Sequence, residues 1–203
     1  MKKIIFSLLM VGSAVFGDNV SDSQIYIKSG NAHGDSQNYT LAIKDYTKAI
    51  QLVSNISSYY VLRGTSYMKT NDNNMALKDF TKAIELESTY KDAYLARGMT
   101  YNAMKNYTLA KKDFSTLLGM DSKNMFAYFF RGQAYWEEGD TDYAIMDFSK
   151  VIELNPKYAE AYVIRGAIYT DMNLFSLAKI DAQKACELGS CELLNLLKKE
   201  GHI

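Results

Sequence analysis

The chain has 203 residues, with 23 lysines and arginines against 23 aspartates and glutamates. The balanced charge offers no electrostatic case for a nucleic acid or an anionic membrane as partner. A single proline and the lack of any low-complexity tract exclude a linker-rich chain and point to continuous helical structure.

The N-terminus stands apart from the rest. Residues 1–17, MKKIIFSLLMVGSAVFG, hold two lysines, thirteen mostly apolar residues from Ile4 to Phe16, and then small residues. That is the layout of a secretory signal peptide and predicts an exported protein, periplasmic or secreted. Cleavage is expected after Gly17, with Ala14 as the second option. The apolar run falls short of the ~20 residues that a membrane span needs, so the mature chain is expected to have no span, the alternative being that the segment stays uncleaved as an anchor. No cysteine follows the run, so the pattern of a bacterial lipid anchor is missing. Residues 18–22 read as a short connecting segment.

From Ser23 the chain repeats. The pair Arg63-Gly64 recurs at Arg97-Gly98, Arg131-Gly132 and Arg165-Gly166, always 34 residues apart. Blocks of that length run 23–56, 57–90, 91–124, 125–158 and 159–192 without insertion or deletion. The fourth place is always tyrosine (Tyr26, Tyr60, Tyr94, Tyr128, Tyr162) and the eighth always glycine (Gly30, Gly64, Gly98, Gly132, Gly166). The twentieth is always alanine (Ala42, Ala76, Ala110, Ala144, Ala178) and the twenty-third always aspartate (Asp45, Asp79, Asp113, Asp147, Asp181).

Each block reads as two helices. In the fourth, Tyr128, Arg131, Gly132 and Tyr135 share one face of a 3.6-residue helix. Gly139 then suits the left-handed residue that ends a helix, a place held by Asn71 and Asn173 in other blocks. Tyr143, Ala144, Phe148, Val151 and Ile152 form the second amphipathic helix, and Pro156 suits a helix stop or the first turn of the next. Helices of this length are marginal alone in water. Glycine facing alanine lets two backbones approach, and stacked neighbours bury what one pair leaves bare. After the last block, residues 193–203 read as a capping helix and tail, with Leu193, Leu194, Leu196 and Leu197 as its apolar stripe.

These residues resemble the tetratricopeptide repeat family, in which small residues hold the eighth and twentieth places and aromatics the eleventh and twenty-fourth. Here the eleventh place has Tyr67, Tyr101, Tyr135 and Tyr169, and the twenty-fourth Tyr46, Phe80, Phe114 and Phe148. His33 and Ala182 depart from the pattern in the outermost blocks, and only Pro156 matches the family's proline. The resemblance implies an all-α fold: a right-handed superhelical α-solenoid of five helix–turn–helix repeats closed by a capping helix.

Arginine among core aromatics needs a partner, and four blocks supply one. The expectation is a ladder of partly buried pairs, Arg63–Asp79, Arg97–Asp113, Arg131–Asp147 and Arg165–Asp181, within a repeat or bridging to the next. Ser29 stands where the first block would need its arginine, so Asp45 is expected to be solvated or hydrogen-bonded.

The chain shows no metal-ligand spacing, phosphate-binding glycine loop or nucleophile motif, so no enzyme activity, metal or cofactor is expected. An even cysteine count in an exported chain favours a Cys186–Cys191 disulfide, the alternative being two small apolar residues in the cap. The second, fifth, ninth and twelfth places of each first helix form a separate face. By the family resemblance it lines a concave groove for a peptide or protein segment. Leu95, Met99, Asn102, Phe126, Phe129, Gln133, Trp136 and Val163 are the candidate groove residues, with tryptophan the residue type most enriched in binding hot spots. The lysine, asparagine and arginine with which some family members grip a C-terminal carboxylate are replaced here by mostly apolar or acidic residues. The alternative is a structural, self-associating component of a cell-envelope complex, stacked through its terminal repeats or the cap's leucines.

Overall fold

The computed structural model describes the backbone of residues 2–203 and the side chains of residues 19–203. The predicted signal peptide, residues 1–17, lies outside the described side chains. Eleven helices and no strand are found among the described residues: α1 (Lys2–Asp35), α2 (Tyr39–Leu52), α3 (Ser57–Lys69), α4 (Asn73–Leu86), α5 (Lys91–Ala103), α6 (Tyr107–Met120), α7 (Met125–Glu138), α8 (Thr141–Leu154), α9 (Ala159–Asp171), α10 (Phe175–Glu187) and α11 (Glu192–Lys199). From α2 on, even-numbered helices up to α10 begin 34 residues apart, as do α3, α5, α7 and α9. Among the described residues no helix is long and apolar enough to cross a membrane.

The chain divides into two compact units, residues 1–100 and 101–203. In the first, α1 packs on α2, α2 on α3 and α3 on α4. Ala49, Ile50, Val53, Tyr59, Tyr60, Ala83 and Ala93 form its core, with Tyr26 and Ile27 packed against them. The close approach that Gly64 permits is direct: a Cβ there would stand 2.8 Å from the Phe80 ring. In the second unit α6 packs on α7, α7 on α8, α8 on α9 and α9 on α10, and α11 closes over α10 and α9. Leu193 and Leu197 turn inward from the cap while Leu196 is 46% exposed. Ala178 and Ala182 pack beneath the buried leucines.

The turn inside every repeat uses one device. The fifteenth residue takes the left-handed conformation in all five: Gln37, Asn71, Lys105, Gly139 and Asn173, with φ between 59° and 87°. The Asp140 N–H then donates to the Tyr135 carbonyl and the Gly139 N–H to the Trp136 carbonyl, both at 2.9 Å, which satisfies helix-end acceptors. Pro156 lies beyond the end of α8 and before α9, in the inter-repeat loop rather than in the first turn of α9. The constant tyrosine at the fourth place latches that loop. Tyr60 donates to the Ser54 carbonyl (2.9 Å), Tyr94 to Ser88 (3.1 Å) and Tyr162 to Pro156 (3.3 Å).

Candidate functional site

Arg63, Arg131 and Arg165 on the first helices are each held by three hydrogen bonds at once. Arg63 Nε and Nη2 donate to the two carboxylate oxygens of Asp79 at 2.8 and 2.7 Å. Arg131 grips Asp147 and Arg165 grips Asp181 in the same fork, every bond 2.8 Å. The remaining Nη1 reaches back to a hydroxyl of the preceding repeat: Thr47 from Arg63, Thr81 from Arg97, Ser115 from Arg131 and Ser149 from Arg165, at 2.8–3.2 Å. Arg63, Arg131 and Arg165 therefore each tie their own repeat's helices together and fasten them to the repeat before. A tyrosine ring lies beside each guanidinium, as with Arg131 at 5.6 Å from Tyr128 and Arg165 at 5.9 Å from Tyr169.

The carboxylates are almost fully covered, Asp79 and Asp147 at 4% and Asp181 at 2% exposure. Hydrogen bonds to Asp147 and Asp181 hold Arg131 and Arg165 above the ordinary arginine value. Burial works against the charge of Arg63, yet its pairing with Asp79 raises it as well. Arg97 and Asp113 belong to different units. In the first repeat Ser29 donates to Asp45 at 2.6 Å, and His33 Nε2 lies 3.7 Å from the same carboxylate. Arg63, Arg131 and Arg165 are structural links, each engaged by three hydrogen bonds. The hydroxyl column at the twenty-fifth place, Thr47, Thr81, Ser115 and Ser149, is visible in the sequence only once the arginine's unused donor is counted.

Each unit offers its own part of the first-helix face. In the first unit Met99 lines a mostly apolar cleft of about 320 Å³ with Thr65, Met68, Lys69 and Ala96, and Leu95 is half-buried on the same helix. In the second unit Asn102, Gln133 and Trp136 surround a cleft of about 200 Å³ together with Tyr107 and Glu137. Phe126 stands 49% exposed at the start of α7, and Val163 is half-buried on α9.

Phe129 departs from the expectation of a groove residue. It is 3% exposed and belongs to the core. Its ring meets Phe130, Phe148 and Tyr158 edge to face, with centroids 5.4–5.7 Å apart. A side chain this large at the fifth place reaches between α8 and the loop before α9, whereas Val163 at the same place in the next repeat stays partly open.

Within the second cleft the Asn102 amide is fixed. Its Nδ2 donates to the Phe130 carbonyl at 2.8 Å, while its Oδ1 is shut off from water and has no partner among the described residues. Tyr107 donates to Glu137 at 3.3 Å. Burial, and then the Glu137 charge, raise the Tyr107 pKa. Tyr107 and Glu137 occupy the seventeenth and thirteenth places of their repeats, off the face formed by the second, fifth, ninth and twelfth places. Cys186, at the end of α10, and Cys191, just before α11, are joined by a disulfide.

The sequence profile of the tetratricopeptide repeat family matches residues 23–53, 57–90, 91–124 and 127–158. No curated protein matches the sequence. Among solved structures the chain is similar to MamA, at 24% identity over 78% of this chain and 93% of that one, with a TM-score of 0.74. MamA from Desulfovibrio magneticus RS-1 gives a TM-score of 0.79 at 17% identity, covering 84% of this chain and 96% of that one. YrrB, described as a TPR protein with an unusual peptide-binding site, gives 0.73 at 22% identity over 91% of this chain and 97% of that one. With four consecutive repeats matched and the helix–turn–helix pitch kept throughout, the chain belongs to the tetratricopeptide repeat family.

Proposed function

We propose that the chain is an exported interaction module that holds a peptide or protein segment against its first-helix faces and catalyses no reaction. The single observation that carries this reading is the open surface around Trp136. A cleft of about 200 Å³ lies beside the only tryptophan in the chain, and Phe126 on the same helix is left half in water while Phe129 between them is spent on the core. Large aromatics left open on a rigid helical scaffold are the usual anchors of binding hot spots. Membership of an interaction-module family and the peptide site of YrrB support the same reading. Export is supported by the N-terminal pattern of residues 1–17 and by the Cys186–Cys191 disulfide, a bond favoured outside reducing compartments.

A second reading, a structural or self-assembling component of a cell-envelope complex, draws on a different surface. On α8 and α10 Tyr143, Met146, Leu177 and Ile180 are 43–65% exposed. Chemical cross-linking of the mature chain in its native compartment, with identification of the captured protein, decides between them. Capture of a different protein that is lost on Phe126→Ala with Trp136→Ala supports the adaptor. Capture only of further copies of this chain, unaffected by those substitutions, sinks it.

A further inference from the structure

We infer that the cleft bounded by Asn102, Tyr107, Gln133, Trp136 and Glu137 is a subsite for a basic side chain, a lysine or arginine of the bound segment. The inference rests on the binding role proposed for this face. Its volume, about 200 Å³, lies below the roughly 300–1,000 Å³ of small-molecule pockets, a size suited to one inserted side chain. The lining is rich in acceptors and contains no cation. Asn102 and Gln133 bring side-chain carbonyls, Glu137 brings a carboxylate, and Trp136 brings the aromatic face that best attracts a cation. Lys111, the neighbouring base on α6, is already held by Glu138 and Asp140 and offers its charge there.

Asn102 supplies the strongest argument. Its amide cannot turn over to find another partner, because Nδ2 is engaged by the Phe130 carbonyl and a flipped amide would set two oxygens against each other. The Oδ1 is left as a sealed acceptor without a donor. A buried acceptor without a donor carries a free-energy penalty, and a donor from a bound segment that reaches it removes that penalty. An ammonium or guanidinium brings several donors together with a charge that Glu137 complements. An apolar side chain would leave Oδ1 unsatisfied and bury part of Glu137, so the cleft selects against it.

The test uses the full-length chain and four capped pentapeptides of glycine and alanine whose central residue is lysine, arginine, Nε-acetyl-lysine or norleucine. Trp136 is the only tryptophan, so its fluorescence and its indole N–H resonance report on this cleft alone. The lysine and arginine peptides should shift both signals saturably, and the acetyl-lysine and norleucine peptides should not. Glu137→Gln should raise the Kd about three- to fivefold with the melting temperature unchanged, as befits one exposed charge. Equal response to the neutral peptides, no saturable response to any peptide, or an unchanged Kd in Glu137→Gln overturns the subsite. If a native partner is still captured through Phe126 in that case, the binding role stands and only the subsite falls.

Discussion

Leu193 of α11 lies against Gly166 of α9, where a methyl group on the glycine would stand 2.7 Å from Leu193 Cδ2. In earlier repeats the space beside this glycine is taken by a ring of the same repeat, Tyr46 beside Gly30, Phe80 beside Gly64 and Phe148 beside Gly132. The last repeat has Ala182 in place of that ring, and the cap fills the vacancy from outside. The array is therefore closed by exchanging an internal aromatic for a leucine of the next helix.

That exchange predicts coupling. Leu193→Ala should cost about 2–5 kcal/mol, as buried leucine truncations do. Gly166→Ala should cost about 1–3 kcal/mol through overpacking, despite the better helix propensity of alanine. Combined, the two should cost less than their sum by about 0.5 kcal/mol or more, because the shortened side chain makes room for the added methyl. Urea denaturation of the three variants measures this, and strictly additive losses would refute the packing relationship.

The forked ion pairs predict an asymmetry between breaking and replacing. Asp147→Ala strands a guanidinium that is 19% exposed and should cost about 3–5 kcal/mol. Arg131→Met with Asp147→Leu removes both charges and should be markedly less harmful, since a buried pair has little net worth over apolar residues of similar size. Ser115→Ala takes only the third hydrogen bond and should cost about 0.5–1.5 kcal/mol. Equal melting temperatures for the single Asp147 variant and the apolar double variant would rule out the pairing as a determinant of stability.

Left-handed residues at the helix turns supply a stabilising prediction. Lys105 and Gln37 both hold φ at 59°, a conformation that costs an L-residue with a side chain roughly 1–2 kcal/mol. Lys105→Gly should raise stability by about 0.5–1 kcal/mol, the gain being reduced by the greater freedom of glycine when unfolded. Gly139→Ala should move stability in the opposite direction. Thermal melts of the two variants check the sign, and destabilisation by Lys105→Gly would show that its side chain has a role in the turn.

How much of this could be read beforehand varies by position. The pitch, the glycine, alanine and aspartate columns and the helix pairs are legible because the same packing problem is solved five times, so each solution recurs at fixed spacing. The turns at Gln37 and Lys105 are silent alone, since neither residue type prefers left-handed geometry. Only their alignment with Gly139 and Asn71 marks them. Phe129 misleads because its column holds Val61, Leu95 and Val163, which stay half-buried, while its own larger ring reaches Tyr158 and Phe148. The unpartnered oxygen of Asn102 has no sequence signature at all, because it depends on which of its amide atoms meets a carbonyl 28 residues later.

Three aromatic residues of one helix should then separate function from stability. Phe126→Ala removes a ring that is already 49% exposed and should change stability by under about 1 kcal/mol, yet should weaken capture of a partner. Trp136→Ala should weaken binding more, since it also opens the wall of the cleft, and should cost more stability than Phe126→Ala because Trp136 is half-buried against the core of its unit. Phe129→Ala should behave in the opposite way. Its edge-to-face contacts with Phe130, Phe148 and Tyr158 place its loss at about 3–5 kcal/mol, and binding should fall only as far as the folded fraction falls. Measuring the denaturation midpoint and cross-linked partner yield on the same preparations resolves the two effects. A Phe126 variant that keeps its partner, beside a Phe129 variant that loses it while still folded, would move the binding surface away from this face of α7.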